Sequence, residues 1–199
     1  FARLLEADKQ YEEAVVQFNK ALSMDKSHTE IYKDISDVYE KKRDFPKAIE
    51  AYKNYLDEMK SSPDISDLFL YGRLNYYAAT DSAYQDKQPT YLAEADTIFA
   101  QVAVKVPDNY LGNFWRARVN SLRDPETTQG LAKPYYEAAL SILEQKSDAT
   151  KSVLVECNSY LGYYYFVKED YNQSKQYWNK ILEIDPENET ATKALGGIK

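Results

Sequence analysis

Leu161-Gly162-Tyr163-Tyr164-Tyr165, continued by Tyr171, Ser174, Trp178, Ile181 and Pro186, is the stretch on which the reading of this chain turns. A small residue follows a large apolar one and an aromatic stands three residues beyond it. A second run then repeats apolar residues every three or four positions until Asp185-Pro186 stops it. Apolar residues at that interval line one face of an α-helix. Two such runs joined at Glu169-Asp170 predict two helices packed back to back.

Working outward, the pattern recurs. Tyr11, Ala14, Val15, Phe18, Ala21 and Leu22 form one apolar stripe, and a copy appears at a fixed interval: Ala14 to Ala48 and Phe18 to Tyr52 are each 34 residues apart. Ala14 and Ala21 predict close helix approach, because larger side chains there would force neighbours apart at a cost of about 1 to 3 kcal/mol. On these residues the chain resembles the tetratricopeptide repeat (TPR), a helix–turn–helix unit of about 34 residues. The ankyrin repeat is excluded by its period of about 33 residues and its TPLH-like turn, which is absent. The resemblance covers essentially all 199 residues. It implies an all-α fold, a right-handed α-α superhelical solenoid of TPR-type helix pairs with a C-terminal capping helix.

The expected organisation is a single array: a truncated repeat at 1–27, complete repeats at 28–62, 63–109, 110–147 and 148–186, and a cap at 187–199. Phe1-Ala2 reads as the first large-small pair, with a turn at Lys9-Gln10. The second repeat carries Tyr32, Ile35, Ser36 and Tyr39, turns at Arg43-Asp44, and has Pro46 in the first turn of its next helix, where a missing N–H costs nothing. Tyr55 stands where the repeat normally has alanine, which predicts looser or shifted packing. Ser61-Ser62-Pro63-Asp64 breaks the chain, and Asp64 or Ser66 can cap the first helix of the third repeat. Gly72 to Ala95 spans 23 residues where Ser36 to Ala48 spans 12, so residues are inserted around 78–90. Their polar run predicts a lengthened helix and then a loop over Asp81 to Pro89.

In the fourth repeat, Phe114-Trp115-Arg116-Ala117 places Arg116 where an apolar residue is usual, and Pro125 ends the helix at Asp124. Its second helix runs through Leu131, Ala132, Tyr136, Ala139 and Leu143. Ser147-Asp148 leads into a first helix predicted to be about two turns longer than the pattern needs, because Ala139 to Gly162 is 23 residues against 15 from Val102 to Ala117. The closing segment shows solvent Glu189, Thr190, Thr192 and Lys193, covers the last repeat with Ala191, Ala194 and Leu195, and stops at Gly196-Gly197.

Composition excludes several functions. A net charge of −7, with no like-charge block longer than Lys41-Lys42-Arg43, argues against nucleic acid or an anionic membrane surface as partner. No run approaches the roughly 18 apolar residues of a membrane span. Cys157 is the one cysteine and reads as a packing residue. His28, the one histidine, falls in an inter-helix turn with no nucleophile or metal-ligand cluster at recognisable spacing, and no phosphate-binding loop occurs. No enzyme activity, metal or cofactor is expected.

The TPR resemblance implies that the first helices present an inner face to a peptide. The positions that point there are Phe69, Arg73, Tyr76 and Tyr77 in the third repeat, Phe114 and Arg118 in the fourth, and Tyr163 and Phe166 in the fifth. Lys33, Asp37, Glu40 and Lys41 join them from the second. The function implied is a non-catalytic protein–protein interaction scaffold holding an extended peptide or protein segment in an aromatic, arginine-containing groove. The alternative is a structural spacer or self-associating scaffold within a longer multi-domain protein. Arg73 and Arg118 hold equivalent places and suit an acidic group or a C-terminal carboxylate. Alternatively they pair with neighbouring acids such as Asp37. Docking of cytosolic chaperone tails is rejected: Lys33 matches one lysine of that set, but Asp37 and Leu70 replace its asparagines. The style of the repeats is similar to bacterial ones, with the cell envelope or periplasm favoured over the cytoplasm.

Overall fold

The computed structural model describes residues 2–7, 9–59, 61–146 and 148–198, with the backbone alone for Leu4. Phe1 of the first large-small pair and Ser147 of the last linker lie outside the described residues. Within them the chain forms α1 (Ala2–Ala7), α2 (Tyr11–Met24), α3 (Glu30–Lys41), α4 (Phe45–Glu58), α5 (Ile65–Thr80), α6 (Gln88–Lys105), α7 (Leu111–Arg123), α8 (Lys133–Leu143), α9 (Lys151–Val167), α10 (Tyr171–Ile184) and α11 (Glu189–Gly197). They fall into two units, Phe1–Ile98 and Phe99–Lys199, with α6 running through the boundary.

Local chemistry fixes the helix starts. Asp64 accepts from the backbone N–H of Asp67 and Asp67 reaches back to that of Asp64, a reciprocal capping box that opens α5. Asp170 and Asn188 accept from Gln173 and Ala191 to open α10 and α11. In the first unit α1 to α5 pack in sequence order, each on the next; α7 to α11 do the same in the second. The alanines of the repeat interval, Ala14 and Ala48, are both fully buried, and Phe18 and Tyr52 are buried beside them. Two buried hydroxyls tie first helix to second: Ser36 donates to the Ala48 carbonyl and Ser174 to that of Gly162, each at 2.8 Å.

Lys9, Arg43 and Glu169 close α1, α3 and α9 at φ of 61°, 58° and 60°. In each turn the following amide bonds back to a carbonyl five residues earlier, as Asp170 does to Tyr165 at 2.9 Å. Helices that end this way favour glycine at the left-handed position. Replacing the exposed Glu169 by glycine is therefore expected to stabilise the chain by about 0.5 to 1 kcal/mol, seen as a higher urea midpoint. Arg43→Gly should show no such gain, because its guanidinium also holds Asp81 at 2.6 Å.

That contact explains where the structure departs from the expected loop. Asp81 accepts from Arg43 and from the Ala83 amide. The Tyr84 hydroxyl donates to the Arg43 carbonyl at 3.0 Å, and its ring meets Phe45 edge-on at 6.2 Å. The inserted residues are thus a 3-10 turn, Ser82–Lys87, folded onto the preceding turn, and the first turn of α6 comes at once after it. Tyr55 also differs from expectation. It is buried, meets Tyr52 edge-on at 5.6 Å and carries Lys33 over its ring at 4.8 Å, so the large side chain fills its site. Helix α9 has 17 residues against 12 in α3, an excess of roughly one and a half turns rather than two.

Between α7 and α8 the chain winds around one carboxylate. Buried Asp124 accepts from the amides of Gly130 at 2.7 Å, Gln129 at 3.0 Å and Leu131 at 3.4 Å, and from the Thr128 hydroxyl at 3.4 Å. Thr127 and Gly130 turn the backbone at φ of 56° and 72°, and Lys168 at the end of α9 donates to the Thr128 carbonyl at 2.9 Å.

Candidate interaction surfaces

In the first unit, Arg73, Tyr76 and Tyr77 stand four, seven and eight residues beyond Phe69 on α5, so the four share one face, and all are half-buried. Tyr77 lies 6.4 Å from Phe45 and 6.1 Å from Tyr76. The Arg73 guanidinium sits over the Tyr77 ring at 5.6 Å and 3.5 Å from the Glu40 carboxylate. The acid beside it is Glu40 of α3 rather than Asp37. Partial desolvation and the Glu40 charge push the Asp37 carboxyl above its ordinary range.

The lysines of the second repeat are committed in the same way. Lys33 reaches the buried Asp67 at 3.2 Å, which also accepts from the Tyr52 hydroxyl at 3.3 Å. Burial alone would lower the lysine's pKa; the hydrogen bond and charge of Asp67 more than reverse this and raise it. Lys41 pairs with Glu6 of α1. Successive first helices of this unit are therefore laced by ion pairs of opposite polarity.

In the second unit, Arg118 grips Glu156 of α9 with both arms, Nε to Oε1 at 2.7 Å and Nη2 to Oε2 at 2.5 Å. The Tyr136 hydroxyl donates to the same carboxylate at 3.1 Å, and burial together with Glu156 pushes that phenol's pKa well up. The guanidinium lies 4.6 Å from the Phe114 ring. Phe114 itself corrects the expectation of a surface residue. It is 4% exposed, set edge-on to Tyr110 at 6.1 Å and Tyr136 at 6.2 Å, and belongs to the core. Cys157 is fully buried, and burial with the Glu156 charge pushes its thiol up to about 12, which keeps it in its neutral, packing form.

Tyr163 and Phe166 behave differently. They are 43% and 42% exposed, and Tyr171, 5.9 Å from Phe166, is 42% exposed. Beneath them lies a cavity of about 240 Å³ walled by Trp178 of α10, Ala194 and Gly197 of α11, and Ile198, with Lys193 at its edge. Sequence reasoning found the two aromatics but missed the cavity. The available signal was the pair of small residues, Ala194 and Gly197, one turn apart on the last helix. Among the described residues no three His, Cys, Asp or Glu side chains converge as a metal site requires, and no helix is long and apolar enough to cross a membrane.

The family model of the tetratricopeptide repeat matches residues 1–28, which hold α1 and α2, and 160–188, which hold the end of α9 and all of α10. The crystal structure of the C-terminal part of a TPR repeat-containing protein from Cytophaga hutchinsonii superposes with a TM-score of 0.83 at 30% identity, covering 98% of this chain and 70% of that one. The chain belongs to the tetratricopeptide-repeat family. Two further solved structures support the fold alone. YrrB, a TPR protein with an unusual peptide-binding site, gives a TM-score of 0.65 at 18% identity over 98% of this TPR chain and 88% of its own. MamA gives 0.67 at 14% identity over 94% and 95%. No curated protein sequence matches this chain significantly.

Proposed function

We propose that this TPR chain is a non-catalytic scaffold that holds an extended segment of a partner protein on the exposed faces of its first helices. The observation that carries the reading is the contrast at α9: among the described residues every other Phe, Tyr and Trp is buried or half-buried, whereas Tyr163 and Phe166 on one face of α9, with Tyr171 beside them, are exposed. Exposed aromatic clusters mark interaction sites because water gains when a partner covers them. The peptide-binding site named for YrrB is consistent with this use of the fold. In the first unit the matching face is Phe69, Arg73, Tyr76 and Tyr77. An acidic or C-terminal carboxylate on the partner would have to compete with Glu40 for Arg73 and with Glu156 for Arg118.

The test is affinity capture from native extract with crosslink mapping, using the wild type beside Tyr163→Ser, Phe166→Ser. Thermal melting first establishes that the double variant is folded like the wild type. Crosslinks on α9 that the variant loses are the expected result. A partner retained in full by the variant sinks this placement of the surface. Concentration-dependent sedimentation without any captured partner would instead favour the self-associating spacer.

A further inference from the structure

We infer that the cavity beneath Tyr163 and Phe166 is an anchor socket for a single bulky uncharged side chain, aromatic or branched aliphatic, presented by a partner segment. The inference rests on the scaffold reading above and gives that surface a chemistry. Size is the first argument. Pockets that take drug-sized molecules run from roughly 300 to 1,000 Å³, so a cavity of about 240 Å³ suits one side chain better than a free small molecule.

Charge is the second. Of the lining residues Lys193 alone is ionised, and its ammonium lies 2.9 Å from the Glu189 carboxylate on the solvent side of α11. Arg118, the arginine expected in this unit's groove, is held by Glu156. A carboxylate entering between Tyr163, Phe166 and Trp178 would meet the negative faces of the rings with only the solvent-exposed Lys193 in reach. A cation would trade its full hydration for weaker ring contacts, so either charge is held better by water. An apolar one loses nothing and removes aromatic surface from water, which is how aromatic-lined anchor pockets dominate binding energy. The occupant is therefore neutral, whatever the charge of the residues around it.

Two glycines make the test clean. A Cβ added at Gly196 or Gly197 meets nothing within 4 Å, yet only Gly197 lines the socket. Gly197→Phe should plug it and Gly196→Phe should serve as a folded control. The probes are the capped tripeptides acetyl-Gly-Phe-Gly-amide and acetyl-Gly-Glu-Gly-amide, titrated into isotope-labelled chain by amide NMR. The Phe peptide should give saturable shifts at the Ala194 and Gly197 amides and the Trp178 indole N–H. Gly197→Phe should weaken that binding by about tenfold or more, while Gly196→Phe leaves it unchanged.

Equal binding by Gly197→Phe, or preference for the Glu peptide, overturns the socket. So does silence of these signals with both probes. Saturable shifts confined to the Phe69 to Tyr77 face also overturn it, while leaving the scaffold reading standing. The crosslinking experiment judges that reading separately.

Discussion

Replacing Gly112 by alanine is expected to destabilise the second unit by about 3 kcal/mol and to lower its melting temperature by on the order of 10 °C. Gly112 lies in the first turn of α7, against α6. A Cβ there would stand 2.5 Å from the Ala103 amide nitrogen and 2.7 Å from its Cα. Those are backbone atoms inside a helix, so neither can swing aside as a side-chain tip would. The two helices must part, and with them the stacked rings of Phe99 and Trp115, whose centroids are 5.4 Å apart. Thermal melting followed by circular dichroism measures the loss, with Gly196→Ala as the control that should melt no lower than wild type. A Gly112→Ala variant that melts within a degree or two of wild type would mean α6 and α7 do not cross at this distance.

Asp124→Ala is expected to cost a similar amount, about 3 kcal/mol, because it leaves amides built to face a carboxylate with nothing to donate to. Asp124→Asn should fall between the two, since an amide oxygen accepts but carries no charge. The carboxyl also predicts a pH dependence. Burial alone would raise its pKa, but the Gln129, Gly130 and Leu131 amides and the Thr128 hydroxyl outweigh burial and hold it below the usual carboxylate range. A depressed folded-state pKa gives stability that is fully present above the unfolded value of about 3.9 and is lost as pH falls through the folded one. Urea melts at pH 7 should therefore separate wild type from Asp124→Asn clearly. The gap should narrow below about pH 4 as the carboxyl is protonated. Hydrogen exchange at Gln129 and Gly130 should accelerate in the alanine variant; unchanged protection there would show that the loop does not depend on this side chain.

The helix pairs were legible because their signals are local: a large-small pair, an aromatic one turn on, a capping acid, and the interval linking Ala14 to Ala48. Gly112 went unread although Leu111-Gly112 is itself a large-small pair with Trp115 three residues on; its close approach to Ala103 involves another helix and leaves no local signal. Arg73 and Arg118 could be placed on their helices, but their partners, Glu40 and Glu156, sit about one repeat away, where many acids compete for the role. Phe114 failed for a related reason. The spacing rule that turns it outward knows nothing of Tyr110 and Tyr136, which close over it. The insertion reads as polar loop because Asp81 and Tyr84 are polar; only the arrival of Arg43 turns them into a docking edge.

The ion pairs between successive first helices carry one last consequence, for how such an array can be rebuilt. Each junction has its own wiring: Arg3 with Asp34, Lys33 with Asp67 and Arg73 with Glu40 in one unit, Arg118 with Glu156 in the other. The modules look alike in outline but are keyed, so they are not beads to be shuffled on a string. Deleting or transposing the segment that carries Lys33 would strand Asp67, 4% exposed, without its cation, and a buried carboxylate cannot be left alone cheaply. Any lineage or designer lengthening this chain has to copy two neighbours together, lock with key.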